Sequence, residues 1–144
     1  MGAPPRLIAI AIDLDGALGD TRRLWDDWLE DAGRRARVDV TALDEQLPNW
    51  RQLLQRFAEE RAPVYLRPDA EASAALRRLH AAGTRIGVFT EAPEELARIA
   101  LAQLGAARRI EALETGDDAL EKLLARIGPD VRVVRTRAEL ISLR

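Results

Sequence analysis

Asp13 and Asp15, one residue apart, end the apolar run Leu7–Ile12 and are followed at once by Gly16. A carboxylate at such a strand tip can attack a phosphorus centre and carry the phosphoryl group as an aspartyl-phosphate. That chemistry requires a divalent cation to offset the converging negative charge and a nearby acid to protonate the leaving oxygen. Two carboxylates at this spacing can divide the work when the strand curls into a loop, and Gly16 permits close backbone approach there. A third polar group stands far along the chain. Thr90 ends the segment Arg85-Ile86-Gly87-Val88-Phe89-Thr90 ahead of a helical pattern, offering a hydroxyl and a helix N-terminus to a phosphate oxygen.

These residues need a frame that brings strand ends together. The run Leu7–Ile12 reads as an interior strand of a parallel sheet, and ligands of such sheets sit outside the carboxyl ends of the strands. Leu24, Trp25, Trp28, Leu29 and Ala32 recur at helical spacing, predicting a helix over about 20–36 that Asp20 or Thr21 begins. Val38–Val40 is too short to assign. Thr41-Ala42-Leu43-Asp44 resembles a capping box with Asp in place of Glu, Asn49 is placed to cap a helix bearing Trp50, Leu53, Leu54 and Phe57, and Pro63 is expected to close it. The three tryptophans thus fall in one helical block, whose apolar stripe is better read as packing than as an aromatic ligand pocket.

The second half alternates helix and strand. Asp69 caps a helix to Ala82 that Gly83 ends, the strand Arg85–Thr90 follows, and Pro93 opens a helix with Leu96, Ile99, Ala100 and Leu104 inward and Gly105 as its stop. Ile110–Leu113 is a short strand, Asp118–Ile127 a helix broken by Gly128-Pro129, and Val131–Val134 a last strand before a C-terminal helix. Alternation of this kind implies right-handed crossovers and an α/β fold of three layers, Rossmann-like, with a mainly parallel sheet between helices.

Composition narrows the function. With 22 basic and 24 acidic residues interspersed in 144, the net charge of −2 argues against a nucleic-acid footprint. The absence of cysteine and the single histidine, His80, exclude thiolate and multi-histidine zinc sites. No apolar run approaches the roughly 20 residues that span a bilayer. Met1–Arg6 lacks the flanks of a signal peptide, and Arg6 stands where a myristoylation motif wants Ser or Thr. The expectation is one soluble, cytoplasmic domain, with no nucleic-acid or membrane partner.

Asp13-Leu14-Asp15-Gly16-Ala17-Leu18-Gly19-Asp20-Thr21 resembles the first motif of the haloacid dehalogenase-like (HAD) hydrolase superfamily, an apolar strand followed by Asp-x-Asp-Gly-x-Leu and often Asp-Thr. Ile86–Thr90 resembles the second, and Leu66-Arg67-Pro68-Asp69 the entry to the preceding helix. The resemblance implies a Mg2+-dependent phosphatase acting on a small phosphorylated metabolite. It assigns Asp13 as nucleophile, Asp15 as general acid and base, Gly16 and Thr90 to the substrate phosphate, and Mg2+ to Asp13 and the Asp15 backbone carbonyl. Residues 20–67 stand where the family inserts a cap, within a single domain over 1–144.

The chain also departs from the pattern. Lys122, the lysine nearest the place of the third motif, lies mid-helix and reads as a surface residue; Arg135, Arg137, Arg22 and Arg23 are substitutes that no spacing separates. Where the fourth motif carries Gly-Asp, this chain has Arg135-Thr136, with Glu139 more simply read as helix-dipole compensation and Asp117 or Asp118 as a helix cap. The alternative is therefore a catalytically impaired relative that binds a metabolite or a protein. A receiver-domain reading fails because no Asp follows Ile110–Leu113, and an EF-hand reading fails on ligand spacing.

Overall fold

The computed structural model describes residues 8–128 and 130–143, so Leu7, the segment Met1–Arg6 and Pro129 lie outside the described residues. Four parallel strands form the sheet: β1 (Ala9–Asp13), β2 (Arg85–Thr90), β3 (Ala112–Thr115) and β4 (Arg132–Val134), in the order β3-β2-β1-β4. The chain steps outward from β1 to β3 and then returns to the other side of β1. The order therefore reverses between β1 and β4, the place where open α/β sheets form their ligand crevice. Asp13 ends one of these strands and Arg135 follows the other.

Side-chain alternation along the strands builds two cores. Ile10, Ile12, Ile86 and Val88 are buried on one face with α4 (Ala70–Ala81), α5 (Glu94–Gln103) and α7 (Arg137–Ser142), through Ala75, Leu76, Leu79, Ala100, Leu101 and Leu140. Ala11, Phe89 and Ala112 point to the opposite face, where α6 (Ala119–Ile127) supplies Ala119, Leu123 and Ile127. Gly87 makes that approach possible, since a Cβ there would meet Leu123 Cδ1 at 2.8 Å. The α/β/α sandwich is the architecture read from the sequence.

Between β1 and α4 the chain forms α1 (Arg22–Arg35), α2 (Leu43–Gln46) and α3 (Trp50–Tyr65). Leu24, Trp28, Trp50, Leu54 and Ala58 bury one another and cover Ala92 and Leu96 at the start of α5. The Tyr65 hydroxyl ties α3 to α1 by donating to Asp27. The helix pair is thus packed through its tryptophans, as expected.

Several local expectations differ from what forms. Pro63 lies inside α3 rather than after it: Glu59, whose carbonyl loses its helical donor, and Pro63 are both exposed, so water can satisfy that oxygen. The Thr41–Asp44 capping box is absent. Asp39 caps the preceding short turn by accepting from Thr41 N (2.9 Å), and Asp44 instead accepts from Trp50 Nε1 (2.8 Å). Asn49 stands at the start of α3 without a side-chain capping bond. Strand β3 begins two residues later than Ile110, because Gly87 to Thr90 of β2 pair with Ala112 to Thr115. Asp69, by contrast, caps α4 as read, accepting from Ala72 N at 2.8 Å.

Candidate active site

Beyond Asp13 the backbone leaves the sheet in a looped turn, Leu14–Leu18, closed where Gly19 N donates to the Leu14 carbonyl (3.1 Å). Gly16 has φ +121°, and a Cβ on it would lie 2.7 Å from the carbonyl oxygen of Arg135. The close approach expected at Gly16 is therefore made by the chain leaving β4, and it sets the turn against Arg135. Thr21, the residue before α1, is buried. Rather than capping its helix, it donates both its backbone N–H (2.7 Å) and its hydroxyl (2.8 Å) to Asp15 Oδ1.

The other oxygen of Asp15 meets β2. Thr90 Oγ1 donates to Asp15 Oδ2 at 2.7 Å while accepting from Ala92 N at 3.2 Å. Asp13, Asp15 and Thr90 thus come together as the sequence suggested, with Thr90 bonded to Asp15 rather than left open. Asp13 Oδ1 accepts from Asp15 N (3.2 Å), and its Oδ2 lies 3.6 Å from Arg135 Nη1, an ion pair longer than a hydrogen bond. Burial and the Asp15 charge push the Asp13 carboxyl above its ordinary range, against the opposing pull of Asp15 N–H, Arg135 and Arg22.

A cleft of ≈ 630 Å³ opens over these groups, lined by Asp13, Asp15, Arg22, Trp25, Phe89, Thr90 and Arg135 and, from the β3 side, by Asp117, Asp118 and Glu121. Trp25 is the half-buried member of the tryptophan trio, stacked on Trp28 at 5.5 Å, so one ring of the packed helices also faces the cleft. Acidic side chains outnumber basic ones in this lining. An anionic group therefore finds favourable electrostatics only toward Arg22 and Arg135.

The candidate cations now separate. Arg22 is held by Asp20 in a two-pronged contact (2.9 and 2.6 Å), and Arg137 by Asp69 (2.8 and 3.1 Å). Lys122 is exposed and donates to the Thr115 carbonyl at 2.7 Å, in keeping with a surface role. Arg135 alone among these is ion-paired with Asp13. Its position after the strand that neighbours β1 was the available signal, but nothing in the sequence states strand order. Of Asp117 and Asp118, one of which was expected to cap the helix, Asp118 takes the N-cap position of α6 with φ +58° and makes no side-chain capping bond. Glu139 and Thr136 bond reciprocally across the first turn of α7, which accounts for Glu139 as a helix-start residue.

The fold as a whole is similar to known structures. A protein from Thermotoga maritima assigned as a β-phosphoglucomutase is 21% identical at a TM-score of 0.57, over 88% of this chain and 74% of that one. A HAD phosphatase from Thermococcus onnurineus is 17% identical at 0.60, over 89% and 76%. The fold is haloacid dehalogenase-like. A dehalogenase, 15% identical at a TM-score of 0.52 over 92% and 78%, has the same HAD-like fold. A scan against protein-family models finds no match, and a search of curated proteins finds none either.

Within this HAD-like fold the donor set can be tested against Mg2+. No group of three or more His, Asp or Glu side chains suited to a metal occurs among the described residues. Asp13 and the Asp15 carbonyl would supply two protein oxygens, but the end of β4 brings a guanidinium to Asp13 Oδ2 instead of a further carboxylate. Like charges about 4 Å apart near a protein surface repel by roughly 4 kcal/mol per unit pair, and a dication doubles that. The residues present do not fit the ion. Among the described residues, no helix is long and apolar enough to cross a membrane.

Proposed function

We propose that this chain is a HAD-like hydrolase that cleaves a small phosphomonoester through an aspartyl-phosphate on Asp13. The observation that carries the reading is the fixed pair of carboxylates at the mouth of the cleft: Asp13 facing it beside Arg135, and Asp15 held by Thr21 and Thr90. Asp13 Oδ2 attacks phosphorus, the bond from phosphorus to the ester oxygen breaks, and the departing alkoxide takes a proton from the Asp15 carboxyl. Water then attacks the aspartyl-phosphate and gives a proton back to Asp15, which restores Asp13 as a carboxylate and Asp15 as the acid and releases phosphate. To reach the leaving oxygen Asp15 exchanges one of its threonine bonds. Gly16 keeps the turn close to Arg135, and Thr90 acts by orienting Asp15 next to the phosphate position.

Residues 20–67 serve in this reading as a small helical cap, with Trp25 walling the cleft. The substrate is a small phosphorylated metabolite met in the cytoplasm. Magnesium is the cofactor that the HAD resemblance implies, and the residues at Asp13 do not suit it, so no step is routed through a metal. A second reading, a relative that binds without turnover, is favoured by the guanidinium at the nucleophile. Phosphate release from an aryl phosphate decides between them. Hydrolysis by the wild type that is abolished in Asp13→Asn supports the enzyme, and no release by either protein supports the binding module.

A further inference from the structure

Arg135 is held from three directions. Its carbonyl abuts Gly16, its guanidinium carbon lies 5.5 Å from the centre of the buried Phe89 ring, and Nη1 lies 3.6 Å from Asp13 Oδ2. Phe89 is the register partner of Asp13, so ring and carboxylate stand side by side on adjacent strands. The guanidinium makes no hydrogen bond among the described residues, and its side chain is 57% exposed into the cleft. It therefore combines a fixed root with uncommitted N–H donors. The neighbouring cations are engaged elsewhere, Arg22 by Asp20 and Arg137 by Asp69 and Glu71.

We infer that Arg135, rather than a divalent cation, is the positive charge of this site, and that its guanidinium receives the oxygens of a phosphate group brought to Asp13. The inference rests on the phosphomonoester reading above. An arginine fork matches phosphate geometry through parallel N–H donors and keeps its charge at any accessible pH. Preorganised beside a carboxylate, it lowers the repulsion that a phosphate dianion meets on approach. The phosphate thus binds without metal. The oxygen that a metal would share is already opposed by a cation.

The test is calorimetry on the full chain with two probes, MgCl2 alone and inorganic phosphate with EDTA or with Mg2+. The wild type is expected to give no heat with MgCl2 into the millimolar range, the weak end for oxygen-lined sites. Phosphate is expected to bind equally with EDTA or Mg2+, and about tenfold or more weakly in Arg135→Ala, with Arg135→Lys recovering part of the loss. Arg135→Asp, which adds a third oxygen donor, is expected to gain Mg2+ binding. One-site Mg2+ binding by the wild type, or phosphate binding only with Mg2+, overturns the inference and leaves the phosphomonoester reading standing. Phosphate binding in neither condition overturns both. The wild-type measurements need no variant to fold.

Discussion

The Thr90 hydroxyl donates to Asp15 Oδ2 at 2.7 Å across 75 residues of chain. Since Thr21 donates twice to the other oxygen, Asp15 is pinned between the entry to α1 and the end of β2. Thr90→Val removes a buried donor while keeping the shape of the side chain. It is expected to cost about 1–2 kcal/mol of stability in urea unfolding, with phosphatase activity falling alongside, while Thr90→Ser retains most of both.

Gly16 offers a second check on how the site is held. Gly16→Ala places a Cβ 2.7 Å from the Arg135 carbonyl in a backbone conformation that L residues avoid, whereas Gly105, at φ +72°, has nothing within 4 Å. Gly105→Ala should therefore lose about 1–2 kcal/mol, the cost of a left-handed residue alone. Gly16→Ala should lose more, and thermal unfolding of the two variants measures the difference. Phosphate affinity should drop only in Gly16→Ala, because only there is Arg135 displaced.

The raised pKa of Asp13 links the site to stability. Burial and the Asp15 charge make the folded protein hold the Asp13 proton more tightly than the unfolded chain does. Stability thus falls as pH rises from the unfolded value through the folded one, and the penalty is fully present above it. Asp13→Asn is expected to raise Tm at pH 7 by a few degrees, and the gain should shrink as pH falls toward the unfolded carboxyl range. Melting curves across that window measure it. A site that stabilised ionised Asp13 would give the opposite sign.

The tryptophans separate packing from binding. Trp28 is buried among Leu24, Trp50 and Leu54, so Trp28→Ala should cost about 3–5 kcal/mol, whereas the half-buried Trp25 also faces the cleft. Trp25→Phe should leave Tm nearly unchanged and should weaken a phosphoester with an apolar or aromatic alcohol portion more than inorganic phosphate. Competition binding with both ligands gives the ratio.

Much of the architecture was legible because long periodic segments and strong punctuation agreed. Arg85–Thr90 was read with the bounds it has, and Asp69 caps α4 as its type and position suggested. Pro63 misled because a proline near a helix end is tolerated when its lost partner faces water. Strand β3 slid by two residues because its limits are set by pairing with β2, which no local pattern encodes. The carboxylates and Thr90 stood out in the sequence, while Arg135 could not be told from Arg22, Arg23 or Arg137. What distinguishes it is its ion pair with Asp13, given by the place of β4 beside β1, and the capture of Arg22 and Arg137 by Asp20 and Asp69.

The most direct measurement is to mix the protein with an aryl phosphate, quench in acid at short times, and map the peptides by mass. One phosphoryl group is expected on the peptide that contains Asp13, rising and decaying with turnover, formed in EDTA and absent from Asp13→Asn. Phosphate release that proceeds undiminished in Asp13→Asn, or turnover with no phosphorylated Asp13 peptide at any time, would contradict it.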